Sequence, residues 1–182
     1  GHYQPTILAF YTREGSSGCG AAQSAMGPFY CPRDKKVYLD TDFYRELAQH
    51  YGANGDFAAA YVIAHEVGHN IQDLQGTLAQ VNEAQQSLSP AQANALQVRV
   101  ELQADCYAGV WGKRSGILEA GDIEEGMAAA QAIGDDTLQR EAGRRPMPDS
   151  FTHGTSAQRM NWLKRGLDEG DPRSCDSFST SG

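Results

Sequence analysis

Signals that start and end helices divide most of the chain after residue 40 into amphipathic segments. Asp56 precedes apolar residues at helical spacing that stop at Gly76, and Ser89-Pro90 starts a longer segment that reaches about Arg114. Three further helices are predicted: from Thr41 or Asp42 to about Tyr51, from Asp122 to Ile133 with Glu125 completing a capping box, and over about Ser156–Leu167. This pattern restricts the chain to a mostly helical fold.

The N-terminal part of the chain has strand character instead. Thr6–Tyr11 and Lys36–Asp40 are short runs of β-branched, aromatic and other apolar residues, separated by the Gly- and Ser-rich stretch Gly15–Gly20. At 182 residues a single domain is the default, and it is large enough to bury a hydrophobic core. We therefore predict an α+β fold, a mostly helical single domain with a small N-terminal sheet.

We place the boundaries of this domain near the two ends of the chain. Residues 6–178 form the predicted domain, preceded by a linker over residues 1–5 and followed by a tail over residues 179–182. The start Gly1-His2 resembles the remnant of a cleaved tag. On that interpretation, any native signal or anchor would have preceded Gly1.

The charge balance excludes two classes of partner. The chain carries 23 acidic and 15 basic side chains, a formal net charge of −8. Nucleic acid and anionic membrane surfaces both attract clustered Lys and Arg, so neither is expected as the main partner. No apolar run approaches the roughly 18 residues that a membrane-spanning helix needs.

Four cysteines, Cys19, Cys31, Cys106 and Cys175, are spread along the chain. They include no C-x-x-C pair, which argues against a zinc ribbon. Composition leaves two interpretations open: two disulfides in an oxidising compartment, or four unrelated thiols in a reducing one.

The run His65-Glu66-Val67-Gly68-His69 lies inside the helix that begins at Asp56. Residues four apart share one helix face, so His65 and His69 can bind a single ion, and neutral imidazoles suit Zn²⁺. Glu66 lies about 100° round the helix, where it can act as a general base on a water at that ion without being a ligand. The alternative is a pair of histidines that serve as surface or hydrogen-bonded core groups.

A third ligand should come from another element, and Glu101 lies in the middle of the helix predicted from Ser89. Glu101 and Asp105 share one helix face, where two like charges repel unless a positive partner lies opposite them. We predict that Glu101 is the third ligand and that Asp105 accepts the second N–H of a ligand histidine. A swapped assignment, with Asp105 on the metal, and a solvated acidic face are the alternatives.

A third candidate segment starts just before the last predicted helix. His153 could donate a hydrogen bond to a developing oxyanion, a common third element of zinc peptidase sites. Arg159 could bind a carboxylate and so orient this segment. Taken alone, His153 would be interpreted as a residue that packs at a helix start, and His50 is given no functional role.

Together these motifs resemble those of the bacterial neutral zinc metallopeptidases. The resemblance rests on HEVGH from His65, ELQADCYAGVW from Glu101 and THGTSAQR from Thr152, with SGCGAAQSAMGPFYCP and VYLD nearer the N-terminus, and it extends from about Thr6 to Phe178. More remotely, the chain is similar to the gluzincin group, such as the HtpX-type peptidases. That likeness implies a zincin-like fold with an HExxH helix and Glu101 as the third ligand. Asn70 and Gly154 depart from the patterns of these relatives.

The resemblance also implies a location and a disulfide pairing. Members of this family typically have a short cytoplasmic start, one transmembrane helix and then this domain outside the membrane. The implied location is the periplasm or the cell surface, with membrane attachment only through an N-terminal anchor. It favours disulfides, of which Cys19–Cys31 and Cys106–Cys175 are the preferred pairing among the three that four cysteines allow.

The expected function is therefore zinc-dependent hydrolysis of a peptide or protein substrate. One Zn²⁺ ion at His65, His69 and Glu101 would activate a water, Glu66 would be the general base, and His153 or a nearby tyrosine would stabilise the oxyanion. The peptide would lie extended along a sheet edge, with the Val37–Leu39 strand or the Gly27–Tyr30 loop as candidates. The alternatives are a catalytically inert zinc-binding interaction domain of the cell envelope and a helical structural protein without metal.

Overall fold

The computed structural model describes residues 3–23, 27–51 and 55–179, so Gly1-His2 and most of the predicted tail lie outside the described residues. Five short strands come first: β1 (Ile7–Tyr11), β2 (Glu14–Ser17), β3 (Gly20–Gln23), β4 (Phe29–Cys31) and β5 (Lys36–Asp40). The helices that follow are α1 (Thr41–Tyr51), α2 (Asp56–Leu74), α3 (Thr77–Gln85), α4 (Pro90–Ser115), α5 (Asp122–Ala132), α6 (Asp135–Glu141) and α7 (Ser156–Glu169). Two short 3₁₀ helices, Pro148–Ser150 and Pro172–Cys175, lie before and after α7. The predicted mostly helical α+β architecture is confirmed.

The three-stranded sheet has the order β1-β5-β4. β1 runs parallel to β5, and β4 runs antiparallel to it with Tyr30 opposite Val37. Val37–Asp40 of the central strand are buried for this reason. The prediction that the Val37–Leu39 strand offers an edge to a peptide is wrong, because β1 and β4 occupy both of its sides. β4 is an edge strand of this sheet.

Two disulfides join distant parts of the chain. β2 and β3 form a separate hairpin, and Cys19 in its turn is bonded to Cys31 at the end of β4. Cys106 in the middle of α4 is bonded to Cys175 in the last 3₁₀ helix. Cys31, Cys106 and Cys175 are buried, whereas Cys19 is exposed. These pairs are the ones favoured from the family resemblance.

The long helices start and end close to the predicted positions. Ser89 caps α4, where its side chain accepts the N–H of Gln92 and its own N–H is donated to Oε1 of Gln92 at 3.1 Å. Gly116 ends this helix in the left-handed conformation, with φ of 72°. α2 ends at Leu74, two residues before the predicted Gly76. Within the described part of the chain, no helix is long and apolar enough to cross a membrane.

Three features of the helical part differ from the prediction. α5 starts at Asp122, but its N-cap residue is Gly121 and no described side chain caps it; Asp122 instead accepts the N–H of Glu119 at 2.8 Å. The predicted capping box of Asp122 and Glu125 is therefore wrong. α3 and α6 were not predicted, because α3 buries only Val81 and α6 buries no residue, so neither presents an apolar stripe to the sequence pattern.

Close packing of α4 against α7 determines where the middle of α4 lies. A Cβ atom on Gly109 would lie 2.2 Å from the carbonyl oxygen of Leu163, and one on Gly166 would lie 2.1 Å from that of Cys106. These two glycines let the helix backbones touch. Because α4 also packs against α2, most of its residues from Val100 to Val110 are buried. The polar side chains of this segment therefore face the protein interior.

Candidate metal centre

His65 and His69 on α2 face Glu101 on α4 across a close contact between the two helices. The Nε2 atom of His65 lies 3.1 Å from Oε2 of Glu101, and Nε2 of His69 lies 3.5 Å from Oε1. One ligand atom from each residue lies within 4.8 Å of the other two. Gly68 permits this approach, because a Cβ atom there would lie 3.1 Å from Cα of Ala104. The fold thus brings together three donors that are separated by up to 36 positions in the sequence.

The other ring nitrogen of His65 contacts a fully buried carboxylate. Nδ1 of His65 lies 2.8 Å from Oδ1 of Asp105. The same carboxylate accepts the hydroxyl of Tyr61 at 2.6 Å, and Arg159 donates to both of its oxygens. Asp105 therefore lies behind His65, on the side away from Glu101. Sequence reasoning missed Tyr61, although its position four residues before His65 on the same helix face is a signal that could have indicated it.

The other ring nitrogen of His69 contacts an amide. Nδ1 of His69 lies 2.8 Å from Oε1 of Gln72, a side chain with no exposed surface. An acceptor at each Nδ1 holds a proton on that nitrogen, so the neutral form of either ring has its lone pair on Nε2, the nitrogen that faces Glu101. Sequence reasoning missed Gln72 as well, because a glutamine three residues after a histidine has no distinctive pattern.

The electrostatics of the three donors favour a cation between them. Burial alone would lower the pKa of His65, but the charge of Asp105 and the hydrogen bonds with Asp105 and Glu101 raise it to about 10. Burial would also lower the pKa of His69, but the charge of Glu101 raises it above its ordinary value. Burial would raise the pKa of Glu101, yet the two histidines hold it well below its ordinary value. Two imidazole nitrogens and one carboxylate oxygen are a donor set of zinc sites, so the residues present fit a zinc ion.

Glu66 lies beside the donors without being one of them. Its side chain lines the cleft that reaches the histidines and is nearly buried. Burial raises the pKa of Glu66, while the adjacent histidines act in the opposite direction. Asn70 points elsewhere: its side chain accepts from Tyr30 and donates to the carbonyl oxygen of Gln4, both at 3.1 Å.

His153 lies in a loop that Asp135 holds in place. Oδ2 of Asp135 accepts the backbone N–H groups of Thr152, His153 and Gly154 at 2.8, 2.7 and 3.1 Å. Its Oδ1 lies 3.2 Å from Nδ1 of His153, whose half-exposed side chain lines the same cleft. Gly154 has a φ of 91°, in the region that favours glycine.

Asp135 is a further residue that sequence reasoning missed. Its role depends on a loop that starts seventeen positions later in the chain, so no local pattern marks it. The side chain of His50, predicted to have no role, lies outside the described part of the chain.

The donors lie in a cleft of about 550 Å³ with mostly apolar walls. The segment Gly27–Tyr30, which includes most of the edge strand β4, lines this cleft. Further apolar lining comes from Phe43 and Leu47 of α1, Leu78, Ile133 and Leu138. The three donors and Glu66 also line this cleft.

These features make a candidate metal centre, and sequence comparison gives the family of the chain. The family described as "Putative neutral zinc metallopeptidase" matches residues 1–178, and the chain belongs to this family. The chain is similar to "Uncharacterized protein YpfJ" of Escherichia coli (strain K12), with 55% identity over 182 residues, or 98% of this chain and 63% of that protein. It is also similar to "Uncharacterized protein Rv2575" of Mycobacterium tuberculosis (strain H37Rv), with 43% identity over 195 residues, or 100% of this chain and 64% of that protein.

The chain thus spans less than two thirds of the length of these two relatives. No solved structure matches it. The zincin-like fold expected from the resemblance therefore stays a prediction.

Proposed function

We propose that this chain is the catalytic domain of a zinc-dependent metalloendopeptidase. His65, His69 and Glu101 hold the ion, and Glu66 is the general base. The observation that carries the proposal is the convergence of the three donor atoms within 4.8 Å of one another, beside Glu66, in an open cleft. Membership of the neutral zinc metallopeptidase family supports the same activity.

His65, His69 and Glu101 would hold a zinc ion, which would lower the pKa of a water and polarise a substrate carbonyl group. The residues of the chain do the remaining work. Asp105 and Gln72 accept the Nδ1–H groups of the two histidines and hold the rings in place. Glu66 takes a proton from the attacking water and passes it to the leaving amine.

His153 donates a hydrogen bond from Nε2 to the developing oxyanion in its imidazolium form, because the hydrogen bond with Asp135 at Nδ1 raises the pKa of the ring. Three backbone N–H groups and the imidazole itself bind Asp135, so the loop presents His153 to the cleft in one orientation. Preorganised donors of this kind stabilise charge that develops only in the transition state. Tyr30 also lines the cleft, but its hydroxyl is already donated to Asp73 at 2.9 Å and Asn70 at 3.1 Å.

The substrate is a peptide segment that lies extended beside β4. This strand is an edge of the sheet, and Gly27–Tyr30 line the cleft next to the donors. Edge strands bind extended peptides through backbone hydrogen bonds, while pockets select alternate side chains. The apolar walls favour apolar side chains on both sides of the cleaved bond.

The domain acts outside the cytoplasm. Two disulfides support this location, since such bonds persist in oxidising compartments. Attachment to the membrane through a preceding anchor is part of the same proposal and rests on the family resemblance alone.

The test compares the wild type with Glu66→Gln. Both proteins should contain one zinc ion per chain by elemental analysis, because Glu66 is not a ligand. Wild type should cleave a denatured protein substrate in a chelator-sensitive reaction, and Glu66→Gln should lose about 10²- to 10⁴-fold in kcat. Glu83→Gln, the same substitution at an exposed position of α3, is the matched control and should retain full activity.

Equal hydrolysis by wild type and Glu66→Gln would remove Glu66 as the base. One zinc ion per chain without cleavage of any substrate would favour the alternative of an inert zinc-binding domain of the cell envelope.

A further inference from the structure

A row of buried amides connects His69 with the last 3₁₀ helix. Oε1 of Gln72 lies 2.8 Å from Nδ1 of His69, and Nε2 of Gln72 donates to Oε1 of Gln103 at 3.0 Å. Nε2 of Gln103 in turn donates to the backbone carbonyl of Cys175 at 3.1 Å. Gln72, Gln103 and Cys175 are all buried. Together they form a continuous chain of hydrogen bonds, which we call the amide relay, that consists of Gln72, Gln103 and the Cys175 carbonyl.

Backbone carbonyl groups determine the direction of every bond in the amide relay. The carbonyl oxygen of Cys175 can only accept, so the NH₂ group of Gln103 must face it and the Gln103 oxygen must face Gln72. Gln72 therefore presents its NH₂ group to Gln103, and the carbonyl of Val100 accepts from the same nitrogen at 2.8 Å. The oxygen of Gln72 is left for His69. A side-chain amide that could turn either way in isolation is thereby restricted to one orientation.

We propose that the amide relay positions His69 for zinc. By presenting only an acceptor to Nδ1, Gln72 keeps the proton on that nitrogen and directs Nε2 to Glu101. Among the described hydrogen bonds, none joins the Gln103 side chain to a proposed ligand, yet Gln103 controls the ring of His69 through the orientation of Gln72. Both glutamines are thus positioning residues, and the inference rests on the proposed role of His69 as a ligand.

The far end of the amide relay is anchored to the helix that carries Glu101. Cys175 is bonded to Cys106 of α4, and Arg99 of the same helix donates to the carbonyl of Ser177 at 2.7 Å. Asp105, the residue before Cys106, holds the other histidine. The disulfide therefore connects the amide relay behind His69 to the part of α4 that carries Asp105, the outer partner of His65.

Zinc affinity in a double-mutant cycle tests the proposal. Methionine has nearly the shape of glutamine but offers no amide, so Gln72→Met, Gln103→Met and the double variant remove the amide relay with little change in packing. We expect Gln72→Met to weaken zinc binding about 10- to 100-fold, measured by competition with a chromogenic chelator. Gln103→Met should weaken it by about 3- to 10-fold, and the double variant should bind zinc no more weakly than Gln72→Met alone.

Unchanged zinc affinity in Gln103→Met would overturn the proposal, even if its melting temperature fell. Additive losses in the double variant would overturn it too, since independent contributions do not form a relay. Gln85→Met is the matched control: Gln85 donates to the carbonyl of Ala93 at 3.0 Å between α3 and α4, so its loss should leave zinc affinity unchanged.

A second measurement reports on the His69 ring directly. In the zinc-loaded wild type, ¹⁵N NMR should show a slowly exchanging Nδ1–H signal of His69, and this signal should broaden or disappear in Gln103→Met. Persistence of the wild-type signal in Gln103→Met would overturn the proposal. If Gln72→Met does not fold, Gln103→Met decides through this signal and its zinc affinity.

Failure of the amide relay and failure of the proposed function are distinguishable. A chain that binds zinc and shows the predicted cycle but cleaves nothing keeps the amide relay and loses the peptidase proposal. A chain that cleaves peptides with unchanged zinc affinity in Gln103→Met keeps the peptidase proposal and loses the amide relay. A chain that binds no zinc loses both.

Discussion

Arg159 and Asp105 form a buried, bidentate ion pair in the core of the protein. Nε of Arg159 donates to Oδ2 of Asp105 at 3.0 Å, and Nη2 donates to Oδ1 at 2.9 Å. The two side chains expose 3% and 0% of their surface. Because the guanidinium group compensates the carboxylate, Asp105 can stay ionised in the interior and still accept a hydrogen bond from His65.

Replacement of Arg159 should destabilise the fold. In Arg159→Met the charge of Asp105 remains buried without its cation, which costs about 3–5 kcal/mol in comparable pairs. Urea unfolding of the metal-free protein measures the loss. Arg173→Met, which breaks a pair with Asp171 at a side chain that is 91% exposed, is the control and should change stability little. Similar effects of the two substitutions would contradict this account of the pair.

Asp105→Asn should weaken zinc binding. An amide at this position keeps the shape of the side chain but loses its charge. Its NH₂ group would face another donor, either Arg159 or the groups of Tyr61 and His65 that donate to Asp105. Loss of such an outer partner typically costs about 10- to 100-fold in metal affinity, measurable by chelator competition. Asp73→Asn, on the same helix as His65 but bonded to Tyr30, should bind zinc as the wild type does. Equal affinities of the two variants would remove Asp105 from the metal centre.

The sequence predicts the helices that bury an apolar face and misses those that do not. α2 and α4 have both capping or ending signals and a buried side, so their positions were predicted closely. α3 and α6 bury almost nothing, so they have no periodic signal. Strand order is another limit: only the pairing of β1 and β4 with β5 reveals that β5 is central and that β4 is an edge strand.

Within the candidate site, the residues that sequence reasoning brought together are those with charge and fixed spacing. His65 and His69 share a helix face, and Glu101 lies on a helix where an acidic pair needs a positive partner. Gln72 and Asp135 could not be predicted in the same way. Their importance comes from tertiary partners, the His69 ring and the loop around His153, that no local pattern encodes.

Gly166→Ala should disturb the packing of α7 on α4. The new methyl group would lie 2.1 Å from the carbonyl oxygen of Cys106, a backbone atom that cannot move aside alone. Overpacking of this kind costs about 1–3 kcal/mol, even though alanine favours helix more than glycine does. Gly112→Ala meets the ring of Phe57 at 3.1 Å and should be tolerated better, since a side chain can adjust. Thermal unfolding compares the two variants. Equal melting temperatures of Gly166→Ala and Gly112→Ala would contradict the close contact between α4 and α7.

Asp135→Ala should reduce turnover without a change in zinc affinity. The carboxylate accepts three backbone N–H groups of the loop that carries His153, so its removal frees that loop. On the proposed role of His153 as the oxyanion donor, its displacement should lower kcat about 10- to 100-fold, measured on a peptide substrate, while chelator competition gives an unchanged zinc affinity. Asp149→Ala, an exposed acidic residue nearby, is the control and should behave as the wild type. A parallel loss of zinc affinity in Asp135→Ala would mean that the loop acts on the ligands instead of on His153.

The two disulfides should have different effects when each is replaced by a pair of serines. The Cys106–Cys175 disulfide closes a loop of 69 residues and the Cys19–Cys31 disulfide one of 12 residues. By restricting the unfolded chain, they stabilise the fold by about 4 and about 3 kcal/mol, and Cys106→Ser/Cys175→Ser removes the larger of these contributions. The first variant should therefore melt at the lower temperature and also bind zinc more weakly, because Cys175 ends the amide relay. Cys31 belongs instead to the strand beside the cleft, so the second variant should keep its zinc affinity and show a raised KM for peptides. Zinc binding weakened equally in both variants would contradict this division of roles.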